Sequence, residues 1–117
     1  MVIVIARSVA TKQSSDLKKV ENMKQGYVYI LFNERNGTLY TGVTSNLIKR
    51  IWQHREGVVK GFTKKYGTHQ LGYYEIHSSI KDAIAREKQI KGGSRKDKLN
   101  LIQDKNPYWN DLYEEIV

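Results

Sequence analysis

Glu87, Arg50, His54 and the tyrosines Tyr27, Tyr29 and Tyr40 are the residues of this chain whose types and spacing point to chemistry. Glu87 lies three or four residues from Ala83, Ile84 and Ile90 in a segment of helical spacing, so a helical wheel turns its carboxylate toward the protein body. A bare ionised carboxylate costs on the order of several kcal/mol to bury, so it must be paired, protonated or bound to a metal. A salt bridge to a nearby arginine, or a boundary position with the carboxylate curling back to water, competes with the metal role on these grounds. Arg50 and His54 stack at i, i+4 along one edge of another predicted helix. There a guanidinium fork can clamp a phosphate and an imidazole titrating near neutrality can supply a proton, although an ordinary amphipathic border has the same spacing. The tyrosines are first of all good strand formers. To act as a base at pH 7, a phenol with a pKa near 10 must drop about 3 units, or about 4 kcal/mol, which a nearby cation or metal can provide.

Other chemistries find no support. The chain has no Gly-x-Ser-x-Gly elbow, no Walker-type loop and no His-Glu-x-x-His. Its three histidines, His54, His69 and His77, do not pair at i, i+4, which argues against a histidine zinc site. With no Cys, thiolate nucleophiles, disulfides and Cys-ligated metals are excluded.

The elements that must position these residues are legible in the pattern. Tyr27 to Phe32 and Thr38 to Thr44 are β-branched and aromatic runs separated by Asn36-Gly37, a strong hairpin signal. Alternation puts Tyr27, Tyr29 and Leu31 on one face of the first strand, and Thr38, Tyr40 and Gly42 on one face of the second. Ser45 or Asn46 caps a predicted helix to about Glu56, with Leu47, Ile48, Ile51 and Trp52 as its apolar stripe. Gly61 to Thr68 reads as a basic, aromatic loop and Leu71 to Ser78 as a third strand. A capping box at Ser79 and Asp82 opens a helix to Lys91, whose stripe is Ile80, Ala83, Ile84 and Ile90. A third helix is expected from Arg95 to Asp104, and a short terminal one from Trp109 to Glu115. Residues 1–25 show no sustained period after the opening MVIVIA and are expected to form a flexible arm, with Met23 a second candidate start.

With 117 residues and 39% hydrophobic positions, one compact domain over residues 26–117 is expected. Twenty Lys and Arg against 12 Asp and Glu give +8, and residues 49–98 alone carry a surplus of that size. Such a basic stretch, interleaved with aromatics, suits a phosphate backbone, although a solvated basic face would look alike. No apolar run approaches the roughly 18 residues of a membrane span, and MVIVIA is too short for a secretory core of about 7 to 15 residues. A soluble, intracellular, cytoplasmic protein is the expectation.

Tyr27-Val28-Tyr29 and Tyr40-Thr41-Gly42, followed by Asn46 to His54, by Ala85-Arg86-Glu87-Lys88-Gln89-Ile90-Lys91-Gly92 and by Asn106 to Tyr113, resemble the GIY-YIG nuclease domain in its small bacterial single-domain form. The resemblance covers about residues 26 to 115. It implies an α/β (α+β) fold, a three-stranded antiparallel sheet flanked by helices, and metal-dependent endonucleolytic hydrolysis of DNA phosphodiesters. It also implies roles. Tyr29 and Tyr40 match the two signature tyrosines and Gly42 the closing glycine. Arg50 matches the catalytic arginine, His54 the polar residue one turn on, Glu87 the metal-binding glutamate, and Asn106 a last polar motif. Gly93 departs from the pattern, standing where close relatives often have Trp.

On this reading Glu87 holds one Mg²⁺ or Mn²⁺ ion, Arg50 neutralises charge in the transition state, and Tyr29 or Tyr40 orients or deprotonates the attacking water. His54 hydrogen-bonds a tyrosine or the phosphate and helps to lower that phenol's pKa. Lys64, Lys65 and Tyr66, with Arg95, Lys96 and Lys98, are candidate nucleic-acid contacts. The expected substrate is DNA, structure-selective or single-strand-directed, and an RNA substrate would leave the same sequence signature. DNA repair is the expected setting, although no homing, repair or restriction module accompanies the domain. The alternative is a catalytically weak nucleic-acid-binding module acting with a partner, for which the acidic C-terminal segment offers a surface. One site cuts one strand, so double-strand cleavage calls for a homodimer or two visits.

Overall fold

A computed structural model of the chain describes residues 25–59 and 61–117. The expected arm lies outside these residues apart from Gln25, as does the candidate start at Met23. Three strands, β1 (Gly26–Phe32), β2 (Leu39–Thr44) and β3 (Gln70–His77), form an antiparallel sheet in the order β2-β1-β3. Helices α1 (Leu47–Arg55) and α2 (Phe62–Tyr66) follow β2, and α3 (Ile80–Gly92), α4 (Arg95–Lys105) and α5 (Tyr113–Ile116) follow β3. The fold is therefore α+β, as expected.

The central strand explains the two-layered core. Helices α3 and α4 cover one face of β1 and α1 the other, which is why its sequence is apolar and aromatic throughout. Val28, Ile30 and Phe32 pack with Tyr73, Ala83, Ile90, Ile102 and Trp109 on one face. Tyr29 and Leu31 pack with Leu47, Ile51, Leu71 and Tyr74 on the other. The hairpin between β1 and β2 is closed by Asn33, whose side-chain oxygen accepts from the backbone N–H of Glu34 and Thr38, with Asn36 in the left-handed region at φ 57. Between β1 and β3 the register shifts at Ile30/Leu31, leaving Gly72 as the extra residue.

Four expectations need correction. The stretch Gly61 to Thr68 is not a bare loop: residues 62–66 wind into α2, which ends at Gly67 in the left-handed conformation. Ile48 and Trp52 are not core residues, being 47% and 49% exposed, because α1 buries only Leu47, Ile51 and His54 against the sheet. Ile84 likewise faces out from α3, whose buried residues are Ala83 and Ile90. The terminal helix is shorter than Trp109 to Glu115. Trp109 instead takes φ 56, is buried edge-on against Phe32, and the helix begins only at Tyr113.

Candidate functional site

Tyr29 comes from the middle of β1, and its register partner on β2 is Gly42. The pairing has a steric reason. A Cβ built on Gly42 would lie 2.4 Å from the Tyr29 hydroxyl and 2.5 Å from Cζ, so the phenol lies across a position that only glycine leaves open. Over this phenol α1 delivers His54, capped into place by the Asn46 side chain, which accepts from the backbone N–H of Lys49. The Tyr29 hydroxyl and His54 Nε2 are 2.9 Å apart, and His54 Nδ1 is 3.0 Å from Thr63 Oγ1 on α2. The three side chains form a buried polar relay joining the sheet to two helices.

Tyr40, from β2, completes an aromatic cluster. Its ring lies 6.4 Å from Tyr29, 5.5 Å from His54 and 5.9 Å from Phe62. Phe62 continues to Tyr66 at 4.7 Å, and Lys65 Nζ sits 5.4 Å over the Tyr66 ring. An unbroken aromatic path thus leads from the buried hydroxyl to exposed side chains on α2, flanked by the exposed Lys64 and Lys65.

Electrostatics tie Arg50 and Glu87 to the same point. Burial pushes the Tyr29 phenol up to about 12, with Arg50 acting against the shift and the charges of Tyr40 and Glu87 adding to it. Burial and the neighbouring Arg50 push His54 down to about 4. Two expectations change as a result. His54 is a neutral imidazole at physiological pH, so it is not a proton donor titrating near neutrality. Nor is the Tyr29 phenol lowered: desolvation outweighs the opposing effect of Arg50. Arg50 itself is half-buried, and its Nη1 donates to Gln53 at 3.3 Å.

Glu87 faces inward, with a side chain only 13% exposed. Its ion-pair partner is Lys91 at 2.9 Å, one turn along α3, and not an arginine. No group of three or more His, Cys, Asp or Glu side chains suited to a metal occurs among the described residues. The donor set is therefore one hard carboxylate, mostly buried and held by a single lysine. That set fits Mg²⁺ or Mn²⁺, which take one or two carboxylates and complete their shells with water and substrate oxygens.

The remaining candidates divide. Arg95 Nη2 donates to the carbonyls of Asn36 and Gly37, and Lys98 Nζ donates to the carbonyl of Gly93, so both secure local backbone while Lys96 is exposed. Asn106 is buried; its amide donates to the carbonyls of Gly72 and Asn110 and accepts from the Asn110 N–H. These bonds tie the C-terminal segment to the sheet at the register shift.

Sequence reasoning missed Glu75. Fully buried on β3, it accepts from Arg86 Nε and Nη2 at 3.1 Å, from His77 Nε2 at 3.0 Å and from the Tyr73 hydroxyl. Burial alone would raise its carboxyl, but the hydrogen bonds from Arg86, Tyr73 and His77 hold it below the ordinary value. The available signal was the spacing of Tyr73, Glu75 and His77, which puts all three on one face of a strand.

Comparison with known proteins finds a matching family and relatives. A family model described as the GIY-YIG catalytic domain matches residues 25–100. The chain is similar to UPF0213 protein CPE1444 of Clostridium perfringens, 41% identical over 90 residues that make up 77% of this chain and 96% of the relative. A UPF0213 protein of Syntrophus aciditrophicus is 41% identical over 86 residues, 73% of this chain and 97% of that one. The solution NMR structure of UPF0213 protein BH0048 from Bacillus halodurans is 31% identical, covers 80% of this chain and 99% of its own, and superposes with a TM-score of 0.47.

Proposed function

The chain belongs to the GIY-YIG catalytic-domain family, and on that premise we propose that it is an endonuclease that hydrolyses DNA phosphodiester bonds with one Mg²⁺ or Mn²⁺ ion held at Glu87. The observation that carries this reading is the buried Tyr29 hydroxyl 2.9 Å from His54 Nε2, set in the field of Arg50 and, more weakly, of Glu87. A pure binding surface has no use for a carboxylate beside the phosphate, which would repel it.

The residues divide the work as follows. Arg50 presents a fixed positive charge to the scissile phosphate and stabilises the charge that grows on its oxygens. Tyr29, protonated at neutral pH, donates to Nε2 of the neutral His54, while His54 Nδ1–H donates to Thr63. Arg50 donates to the same oxygen, which leaves one phenolic lone pair to accept from the attacking water. Tyr29 therefore orients the water, whose proton leaves to a non-bridging phosphate oxygen as the new P–O bond forms. Bound at Glu87, the ion supplies Lewis-acid stabilisation of the phosphate and of the leaving oxygen.

The aromatic path Tyr40, Phe62 and Tyr66 supports a single-strand-directed activity. Exposed rings interleaved with Lys64 and Lys65 suit unpaired bases, which offer stacking faces that a duplex hides, and base–aromatic stacking contributes about 1–3 kcal/mol per base. A Mg²⁺-titrated assay on single-stranded, duplex and branched DNA tests both parts. Cleavage that is strongest on unpaired strands is expected; binding to all three without product would instead identify a binding module that acts with a partner.

A further inference from the structure

Resting on the reading of Glu87 as the metal-holding carboxylate, we propose that the buried Glu75–Arg86 pair sets the direction in which Glu87 leaves α3, making Glu75 and Arg86 positioning residues for metal binding.

Helix α3 has few apolar anchors. Of its 13 residues only Ala83 and Ile90 are buried, and they lie seven residues apart near its two ends. They lie on nearly one stripe and choose the face that meets the sheet, but no apolar side chain between them is buried to hold the helix's angle there. The restraint between them is Arg86. Its Nε reaches both oxygens of Glu75, at 3.1 and 3.2 Å, its Nη2 reaches Oε2 at 3.1 Å, and its Nη1 is held by Gln89 at 2.7 Å. Glu75 is itself immobilised by Tyr73 and His77 from its own strand. A planar guanidinium gripped in this manner fixes orientation as well as distance.

Consecutive helical residues diverge by about 100°. Fixing Arg86 over β3 therefore fixes the side on which Glu87 emerges, the side from which its charge reaches Tyr29 of β1. A rotation of about 20° would carry a carboxylate lying roughly 6 Å from the helix axis through about 2 Å, and displacements near 1 Å already cost about 100-fold in a catalytic site. Lys91 cannot substitute for this restraint. It is half exposed, and an exposed lysine pair constrains its partner weakly.

The test is Mn²⁺ binding to the full chain, read from loss of the free-ion EPR signal, alongside melting curves. Four variants are compared with the parent protein: Glu87→Gln, Arg86→Lys, the uncharged double Glu75→Gln/Arg86→Met, and the core control Ile102→Val. Glu87→Gln is expected to lose Mn²⁺ binding. Arg86→Lys and the double variant are expected to melt cooperatively yet bind Mn²⁺ about tenfold more weakly, the usual scale for groups that orient a ligand, whereas Ile102→Val should bind as the parent does. Parent-like Mn²⁺ affinity in folded Arg86→Lys or in the double variant overturns the proposal, as does equal weakening by Ile102→Val. Should the double variant not fold, Arg86→Lys decides. Parent-like binding by Glu87→Gln instead removes the metal reading itself, a result distinguishable from failure at Arg86.

Discussion

The Tyr29 hydroxyl and His54 Nε2 lie 2.9 Å apart in the interior of the protein, one from the central strand and the other from the helix that crosses it. The contact fixes the phenol's rotor and joins sheet to helix, so the same bond serves stability and the proposed chemistry. Its pH dependence has a definite sign. His54 titrates at about 4 in the folded chain, against an ordinary value near 6.5 when unfolded. Between those values the unfolded chain binds the extra proton. The stability contributed by neutral, buried His54 is thus complete above about pH 6.5 and falls as the pH drops toward about 4, by up to about 3 kcal/mol. Urea unfolding of the parent and of His54→Gln at pH 7 and pH 4.5 checks this: the pH-dependent loss should shrink in the variant, and an unchanged loss would contradict the buried neutral imidazole.

Gly42→Ala brings a methyl carbon to 2.4 Å from the Tyr29 hydroxyl, and neither strand backbone can retreat without breaking the β1–β2 ladder. The substitution should destabilise the fold by about 1–3 kcal/mol through overpacking and should displace the phenol. Combining it with Tyr29→Ala, which removes every clashing ring atom, should cost less than the sum of the two single losses. Additive losses in the double variant, measured by denaturant unfolding, would show that the two residues do not compete for space.

Arg50→Ala should lower the chemical step by about 100-fold or more while changing DNA affinity far less, because its charge is used mainly as the transition state forms. Single-turnover rates and filter-binding constants for the same oligonucleotide separate the two. A loss confined to affinity would recast Arg50 as a backbone-positioning contact.

Phe62→Ala and Tyr66→Ala remove exposed rings that bury little of the fold, so both variants should remain stable. Each should weaken binding to a single-stranded oligonucleotide by about 1–3 kcal/mol, with a smaller effect on duplex. Equal losses on both substrates would place the aromatic path outside strand discrimination.

Much of this architecture could be read in the chain itself, for reasons that are local. The strands carrying Tyr29 and Gly42 declared themselves as β-branched and aromatic runs on either side of Asn36-Gly37, and the caps at Asn46 and Ser79 act within one helical turn. The inward face of Glu87 followed from helical spacing alone. What stayed illegible depends on partners distant in sequence. The five-residue α2 is too short to show a period. The outward turn of Ile48 and Trp52 reflects which side of α1 meets the sheet. The neutral state of His54 depends on its burial between Tyr29 and Thr63, and the charge of Glu75 is tolerated in the core only because Arg86, eleven residues on, reaches back to it.

The central claim is that Glu87 turns a basic nucleic-acid surface into a metal-dependent nuclease. Mg²⁺-titrated cleavage of a labelled single-stranded oligonucleotide by the parent and by Glu87→Ala, with melting curves to confirm folding, tests it most directly. Metal-dependent product from the parent and essentially none from a folded Glu87→Ala is the predicted result. Parent-like, Mg²⁺-dependent cutting by that variant would contradict it.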